Sequence, residues 1–184
     1  RLETGRLQLN RMEIDLKLVV ESVIKSVSVG YPDLDARVRF DRDVPLVWAD
    51  PDKIDQVLTN LIENACKYAS PKGIVVSGAL VDNFVEISVT DEGPGIPANE
   101  WPKLFQQFFT SSKGKPTGIG LGLLISRGLI EAHGGHLTVT SKVDGDSSGN
   151  EAEASREVGT TFRFTLPVDG FEELHGRLSR PADS

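Results

Sequence analysis

The chain has 184 residues, of which 39% are hydrophobic and 26% are charged, and its formal net charge is −7. This length and composition fit one globular domain that can bury a core of its own. The acidic balance gives no basic surface of the kind that binds nucleic acid, so any cationic site is local. A single cysteine, Cys66, excludes an intramolecular disulfide and fits a reducing compartment.

The first residues predict the end of a helix that belongs to a longer protein. Residues 1–12, RLETGRLQLNRM, read as a last helical segment loosened by Gly5, and position 1 is not Met. No apolar run approaches the length of a membrane span, and no signal peptide opens the chain. We therefore expect a fragment, and a membrane anchor elsewhere in the full-length protein is left open.

The first half of the chain predicts two helices separated by a strand. Apolar residues at helical spacing predict a helix over residues 16–27. Residues 37–45 alternate in the manner of a strand. Asp50 is the predicted N-cap of a second helix and Pro51 fits its first turn, and this helix is expected to end at Ala69.

The second half predicts most of a sheet and one more helix. The predicted elements are a hairpin over residues 73–93, a helix over 121–132, and strands over 136–143 and 159–167. Asp82 and Asn83 form the predicted hairpin turn. Residues 144–157 are acidic, polar and without periodicity, which predicts a loop. Helices combined with antiparallel strands favour an α+β sandwich, with a sheet on one side and helices on the other.

Two asparagines and a lysine share one face of the second predicted helix, in the stretch NLIENACKYA. At roughly 100° per residue, Asn60, Asn64 and Lys67 fall within a narrow arc, and Tyr68 lies beside it. An amide oxygen can ligate Mg²⁺, and an ammonium group can meet phosphate oxygens. The alternative is an ordinary solvated helix face; Cys66 points away from this arc and is expected to be packed.

A glycine-rich turn, DEGPGIP, follows the second strand of the predicted hairpin. Gly93 and Gly95 allow a tight turn and the close approach of a flat ligand, and Ile96 follows them. Asp91 supplies an acceptor for an adenine amino group. The alternative is a plain turn, since this short pattern is weak evidence by itself.

A second glycine-rich stretch, KPTGIGLGLLISRGL, precedes and enters the third predicted helix. Gly118, Gly120 and Gly122 leave backbone N–H groups exposed at a helix start, which is a typical phosphate site. The alternative is a glycine-rich hinge. Between the two glycine-rich segments, LFQQFF is aromatic and amphipathic and is expected mainly to pack in the core, and Trp101 before it is expected to cover the core.

In this order and spacing, the four segments resemble the N, G1, F and G2 boxes of the Bergerat-fold ATPases. The resemblance is closest to the catalytic ATP-binding domain of sensor histidine kinases, and GTTFRFTLP is similar to the closing strand of that family. The resemblance covers residues 15–167. It implies a two-layer α/β sandwich, with a mixed, mostly antiparallel sheet packed on helices and a mobile ATP lid over residues 110–117.

The resemblance also implies roles for individual residues. Asn64 would hold Mg²⁺ between the ATP phosphates, with Asn60 assisting, and Lys67 would contact phosphate, which makes these three the catalytic residues. Asp91 would accept the adenine amino hydrogen, and Thr161 would lie on a strand beneath the adenine. The full set of implied nucleotide-binding residues is Asn60, Asn64, Lys67, Tyr68, Asp91, Gly93, Gly95, Ile96, Lys113, Lys115, Gly118, Ile119, Gly120, Leu121, Gly122 and Thr161.

One position on the asparagine helix distinguishes relatives that hydrolyse ATP from those that transfer its phosphoryl group to a protein. Relatives that hydrolyse ATP carry a water-activating glutamate four residues before the magnesium asparagine, and here that place is Asn60, which cannot act as a base. Glu63 is interpreted as an i, i+4 partner of Lys67, with a proton-transfer or metal role as the alternative. The resemblance therefore implies transfer of the γ-phosphoryl group to a protein acceptor in preference to hydrolysis.

The acceptor histidine is expected outside this chain. No histidine precedes His133, and His133 and His136 flank a predicted helix end, where a structural role is favoured over a phosphoacceptor role. The implied organisation is the end of a dimerisation helix and linker over residues 1–14, the ATP-binding domain over 15–167, and a tail over 168–184.

The implied function is that of a protein-histidine kinase catalytic domain in a two-component system, with ATP and Mg²⁺ as cofactors. Its implied partners are its own dimerisation domain and a downstream response regulator. The full-length protein would be a homodimer, and no nucleic acid partner is expected. The domain would lie in the cytoplasm. The alternatives are a serine-directed kinase of the same fold, similar to anti-sigma factors, and a non-catalytic module that senses nucleotide.

Overall fold

The computed structural model describes residues 8–106, 121–143 and 158–168. In chain order its elements are β1 Met12–Ile14, α1 Leu16–Gly30, β2 Ala36–Phe40, β3 Val47–Ala49, α2 Pro51–Tyr68, β4 Ile74–Val81, β5 Phe84–Asp91, a short 3-10 helix Ala98–Lys103, α3 Gly122–Ala132, β6 Leu137–Lys142 and β7 Gly159–Pro167. None of the helices among these residues is long and apolar enough to cross a membrane. The predicted loop over 144–157 and the predicted tail beyond Val168 lie outside the described residues.

Five strands form the main sheet, in the order β2-β4-β5-β7-β6. The β2–β4 pair is parallel and the other three pairs are antiparallel. Alternate residues of β5 and β7 are buried, and they join one core with the apolar faces of α1 and α2. The sheet therefore has one face covered by helices, and the predicted α+β sandwich with a mixed, mostly antiparallel sheet is confirmed.

The start of α2 follows the sequence prediction. The side chain of Asp50 accepts hydrogen bonds from the backbone N–H groups of Asp52 and Lys53, and Pro51 occupies the first turn. This cap satisfies two of the N–H groups that a helix start leaves without partners. The hairpin of β4 and β5 is also confirmed, and its turn residue Asp82 has a φ of 53°.

The prediction for the start of the chain is wrong over the residues that the structure describes. Residues 8–11 have no regular structure, and Met12–Ile14 is a strand instead of a helix end. It pairs antiparallel with Val47–Ala49, and the side chain of Ile14 is buried. The two strands were missed because three residues are too few to reveal a period of two, and because the pairing joins segments far apart in sequence.

His133 is buried at the end of α3, where three parts of the chain meet. Its Nε2 accepts from the N–H of Asp50 at 3.0 Å, so its Nδ1 donates to the carbonyl oxygen of Leu129 at 2.7 Å. Burial lowers the pKa of His133, which favours the neutral ring that this pair of bonds requires. Arg11 donates to the carbonyl oxygen of Ala132 at 2.8 Å. With both ring nitrogens engaged, His133 has a structural role.

Candidate functional site

Asn60 connects α2 to the start of α3. Its Nδ2 donates to Ser126 Oγ at 3.0 Å, and Ser126 is buried. The backbone of Gly122 lies so close that a Cβ at this position would collide with the Asn60 amide oxygen. Glycine at 122 therefore lets the asparagine face of α2 contact the first turn of α3.

Exposure of the asparagine face increases toward the end of α2, where Lys67 and Tyr68 are exposed. Asn64 is half-buried one turn after Asn60, and Tyr68 is 41% exposed. Lys67 forms an i, i+4 ion pair with Glu63, which confirms the sequence interpretation of Glu63 as its partner. Partial burial by itself lowers the pKa of Lys67, but the hydrogen bond and charge of Glu63 outweigh it, so the pKa is raised. Lys67 is thus a cation whose present partner is a side chain that can rotate away.

Asp91 is a buried carboxylate at the end of β5. The N–H of Gly93 donates to its Oδ1 at 2.8 Å, and the N–H of Thr160 donates to the carboxylate from β7. Burial raises the pKa of Asp91 in spite of these two donors. A Cβ on Gly93 would collide with the side chain of Ala69, so the turn that holds Asp91 packs directly on the end of α2.

The rest of this turn is fixed by backbone contacts. Gly95 has a φ of +73°, and a Cβ there would collide with the carbonyl oxygen of Lys142. The N–H of Ile96 donates to Ser141 Oγ at 2.7 Å, and the indole Nε1 of Trp101 donates to the Ile96 carbonyl oxygen at 2.9 Å. Only glycine has both the backbone freedom and the space that position 95 requires.

Thr161 does not share a sheet face with Asp91, so the expected placement of Thr161 is corrected. In the β5–β7 ladder Asp91 lies opposite Thr160, whereas Thr161 lies opposite Thr90. The hydroxyl oxygens of Thr90 and Thr161 are 3.1 Å apart on the other face. The sequence contained the signal: positions 160, 162 and 164 of GTTFRFTLP alternate with polar residues, and Phe162 and Phe164 require the buried face.

The structure brings the predicted residues of α2 next to those after β5 and at the start of α3, through the contacts of Gly93 with Ala69 and of Gly122 with Asn60. Leu121 directly precedes α3, next to the contact between Gly122 and Asn60. The remaining predicted residues, Lys113, Lys115, Gly118, Ile119 and Gly120, and the lid over residues 110–117 lie outside the described residues.

The side chains of the asparagine face fit a Mg²⁺ ion whose ligands come partly from the protein and partly from a nucleotide. Within the described ranges, no group of three or more His, Cys, Asp or Glu side chains is placed to hold a metal. Asn64 offers a neutral amide oxygen, and Mg²⁺ commonly combines one or two protein ligands with phosphate oxygens and water.

Comparison with known proteins shows the family and the fold. The model of the histidine kinase-, DNA gyrase B- and HSP90-like ATPase family matches residues 49–170. The sensor protein FixL of Bradyrhizobium diazoefficiens is 37% identical over 164 residues, which are 86% of this chain and 29% of FixL. The mycobacterial sensor histidine kinase MprB superposes with a TM-score of 0.69 at 27% identity, over 88% of this chain and 99% of that one.

A further solved structure is the histidine kinase ThkA in complex with the response regulator protein TrrA. It superposes with a TM-score of 0.66 at 28% identity, over 86% of this chain and 42% of that one. The chain thus spans between a quarter and a half of FixL and of that ThkA chain. The family match covers most of the chain, and the sandwich fold agrees with the solved histidine kinase structures. This chain belongs to the histidine kinase-, DNA gyrase B- and HSP90-like ATPase family, as an ATP-binding domain whose relatives are sensor histidine kinases.

Proposed function

We propose that this chain binds Mg²⁺-ATP and donates the γ-phosphoryl group to a histidine on the dimerisation domain of a two-component sensor kinase. The packing of α2 carries this proposal. Its end contacts the Asp91 turn through Ala69 and Gly93, and its middle contacts α3 through Asn60 and Gly122. One helix thereby joins the proposed base site to the proposed phosphate site.

At the base end, Asp91 accepts a hydrogen bond from the adenine amino group. Gly93 and Gly95 let the turn pack on Ala69 and on the Lys142 carbonyl, which fixes Asp91 beside the proposed adenine site, with Ile96 next to them. Thr160 replaces Thr161 in the proposed site, because it lies opposite Asp91 and donates its backbone N–H to the carboxylate. A buried, hydrogen-bonded carboxylate is a strong and selective acceptor.

At the phosphate end, Asn64 ligates the metal ion and Asn60 assists, held in place by Ser126. Lys67 contacts phosphate oxygens after leaving Glu63. Mg²⁺, when bound, neutralises the charge that develops on the phosphate oxygens. Lys113, Lys115, Gly118, Ile119, Gly120, Leu121 and Gly122 complete the proposed phosphate contacts.

The proposed reaction transfers the phosphoryl group to protein instead of water. A ring nitrogen of the acceptor histidine bonds to the γ-phosphorus, the bond from that phosphorus to the bridging oxygen breaks, and ADP leaves. Asn60 occupies the place from which hydrolytic relatives activate water, and an amide cannot take the proton. Slow hydrolysis is therefore expected.

We propose a division into a linker, a domain and a tail, as the sequence suggested. Residues 1–14 lead in from a dimerisation helix, with Met12–Ile14 docked on the domain as β1. Residues 15–167 bind the nucleotide, and 168–184 form a tail. The proposed partners are the dimerisation domain, in a homodimer within the cytoplasm, and a response regulator; the ThkA complex with TrrA supports the latter.

Phosphotransfer with radiolabelled ATP tests the proposal. The chain by itself should bind Mg²⁺-ATP in a calorimeter but stay unlabelled, since the proposed acceptor histidine belongs to the dimerisation domain and His133 is buried with both ring nitrogens bonded. Adding a polypeptide that carries the proposed dimerisation helix pair should give acid-labile label on that partner. Asn64→Ala should abolish this transfer. In the unchanged chain, the label should be found on the partner and not on His133.

The outcomes separate the competing functions. Acid-stable label on an added protein would identify a serine-directed kinase. Nucleotide binding without transfer to any partner would favour a sensing module. Failure to bind ATP at millimolar concentration with Mg²⁺, or acid-labile phosphate on His133 or His136 of the isolated chain, would contradict the proposal.

A further inference from the structure

A cluster of hydroxyl groups lies beside the buried carboxylate of Asp91, where the end of β6 meets the start of β7. Ser141 Oγ is within hydrogen-bonding distance of three groups: the Ile96 N–H at 2.7 Å, the Gly159 carbonyl oxygen at 2.8 Å and Thr160 Oγ1 at 2.8 Å. Thr160 is 6% exposed and lies opposite Asp91 in the β5–β7 ladder. Ser141 therefore contacts both the Asp91 turn and the strand beside it.

The chemistry of the three partners fixes the direction of each hydrogen bond. A peptide N–H only donates, so Ile96 uses one lone pair of Ser141. A carbonyl oxygen only accepts, so the single O–H of Ser141 is given to Gly159. The bond between the two hydroxyls must then run from Thr160 to the second lone pair of Ser141. The hydrogen of Thr160 is thereby committed to Ser141, and on its other side this hydroxyl can only accept.

We propose that Ser141 is a positioning residue for base selection. It holds the Thr160 hydroxyl as an acceptor next to the Asp91 carboxylate, so the wall that these two side chains form presents acceptors and no donor from either of them. Such a wall matches the amino group at C6 of adenine and opposes the carbonyl group at C6 of hypoxanthine or guanine. The inference rests on the proposed function, because it requires the base to bind at Asp91.

Neighbouring contacts hold this arrangement in place. The Ile96 peptide is bonded on both sides, by its N–H to Ser141 and by its carbonyl oxygen to Trp101. Gly159 has a φ of +150°, and a Cβ there would collide with the Asp91 carbonyl oxygen. The start of β7 thus comes close enough for Thr160 to reach both Asp91 and Ser141. Because these contacts involve backbone, the serine hydroxyl keeps one orientation whether or not a base is bound.

The test compares ATP with inosine triphosphate, which carries a carbonyl oxygen at C6 in place of the amino group. Dissociation constants for both nucleotides are measured with Mg²⁺ on the whole chain, by calorimetry or competition. The wild type should prefer ATP. In Ser141→Ala the preference should fall about tenfold, because Thr160 is free to turn and donate to the C6 carbonyl. Ser141→Thr, which keeps a hydroxyl, should retain the preference.

A second variant removes the Thr160 hydroxyl itself instead of the serine that orients it. Thr160→Val removes the hydroxyl at similar shape and should also reduce the preference, through loss of an acceptor. In the double variant, Ser141→Ala should add nothing further, since both changes act on one hydroxyl. Thermal melts confirm that each variant is folded. If Ser141→Ala does not fold, Thr160→Val and Ser141→Thr decide the question.

The outcomes distinguish this inference from the proposed function. A serine that only supports the fold would weaken both nucleotides alike in Ser141→Ala, and an unchanged preference in that variant or in Thr160→Val overturns the inference alone. Loss of the preference in Ser141→Thr also overturns it. A wild-type chain that does not bind ATP overturns the proposed function and this inference together.

Discussion

The base end and the phosphate end of the proposed site are held by different kinds of contact. At the base end Asp91 is 9% exposed and is held by two backbone N–H groups. At the phosphate end the side chains of Lys67 and Glu63 are 31% and 37% exposed, and each holds the other. The proposed base site is therefore held by the backbone, whereas the proposed phosphate contacts depend on side chains that now pair with each other.

The largest expected effect follows from adding a methyl group to the backbone of the base end. Gly95→Ala places a side chain at a φ of +73° and against the Lys142 carbonyl oxygen. We expect a loss of about 2–4 kcal/mol in the free energy of unfolding, together with at least about tenfold weaker ATP binding. Urea denaturation and calorimetry measure the two effects.

Gly128→Ala is the matched control for this change. Gly128 lies within α3, and a Cβ there meets nothing within 4 Å. The same substitution should therefore stabilise the chain by about 0.5–1 kcal/mol, as alanine does in helices. Equal effects of the two variants would show that the turn at Gly95 is not rigid, which would remove the contrast between the two ends.

Asp91→Asn should separate recognition of the base from recognition of the phosphates. The amide has one oxygen instead of two, and can present its NH₂ group to the adenine amino group. ATP should bind about 10–100-fold more weakly, as expected for loss of a charge-assisted bond of about 1–3 kcal/mol. Inorganic tripolyphosphate with Mg²⁺ should bind the variant and the wild type equally. A variant that binds ATP as well as the wild type would remove Asp91 from the site.

Acid pH should lower the affinity for ATP as Asp91→Asn does, because it protonates the same carboxylate. Burial raises the pKa of Asp91 in the folded chain above its unfolded value, so the folded state binds this proton more readily. The contribution of Asp91 to the free energy of unfolding is therefore favourable at low pH and is lost as the pH rises through the raised pKa. The proposed contact with ATP requires the ionised form, so we expect ATP affinity to change in the opposite direction, falling as the pH falls.

The measurement is the ratio of ATP affinities of the wild type and Asp91→Asn as the pH is lowered. Protonation of ATP itself affects both proteins and cancels in the ratio. The advantage of the wild type should shrink as the pH falls through the raised pKa of Asp91. A ratio that stays constant throughout the acid range would show that the carboxylate charge has no part in binding.

The sequence predicted the main elements and the shared face of Asn60, Asn64 and Lys67 more completely than it predicted the packing around Asp91. Helical spacing placed Asn60, Asn64 and Lys67 on one face, and the short separation of Glu63 from Lys67 predicted their ion pair. Such signals are local and follow from the geometry of a single helix. The contact between Asn60 and Ser126 joins residues 66 positions apart, and no periodicity reveals it.

The base end depended on strand register. Alternation in GTTFRFTLP indicates which threonine faces the core, but it does not show which residue of another strand lies opposite. Thr160 and Thr161 are adjacent and chemically identical, and a shift of one residue moves a side chain to the other face of a sheet. Pairing with β5 places Thr160 opposite Asp91. The role of Ser141 likewise depends on the pairing of β6 with β7. Backbone contacts between distant segments are the part of the site that required coordinates.

The smallest expected effect comes from releasing Lys67 at the phosphate end. Glu63→Gln removes the charge that now pairs with Lys67, so the ammonium group no longer has to leave an ion pair to meet phosphate. Exposed ion pairs contribute about 0.2–1 kcal/mol, so ATP affinity should rise by at most about fivefold. Glu131→Gln is the matched control, because it breaks the i, i+4 pair with Arg127 on α3 and changes the net charge equally. The control should leave ATP affinity unchanged, which separates release of Lys67 from a general loss of negative charge.

The gain from Glu63→Gln should shrink as salt is added, because both the pair and the phosphate contact are screened. If Glu63→Gln instead weakens Mg²⁺-ATP binding or slows phosphotransfer, Glu63 has the metal or proton-transfer role that its sequence position left open, and the phosphate end is then preformed like the base end.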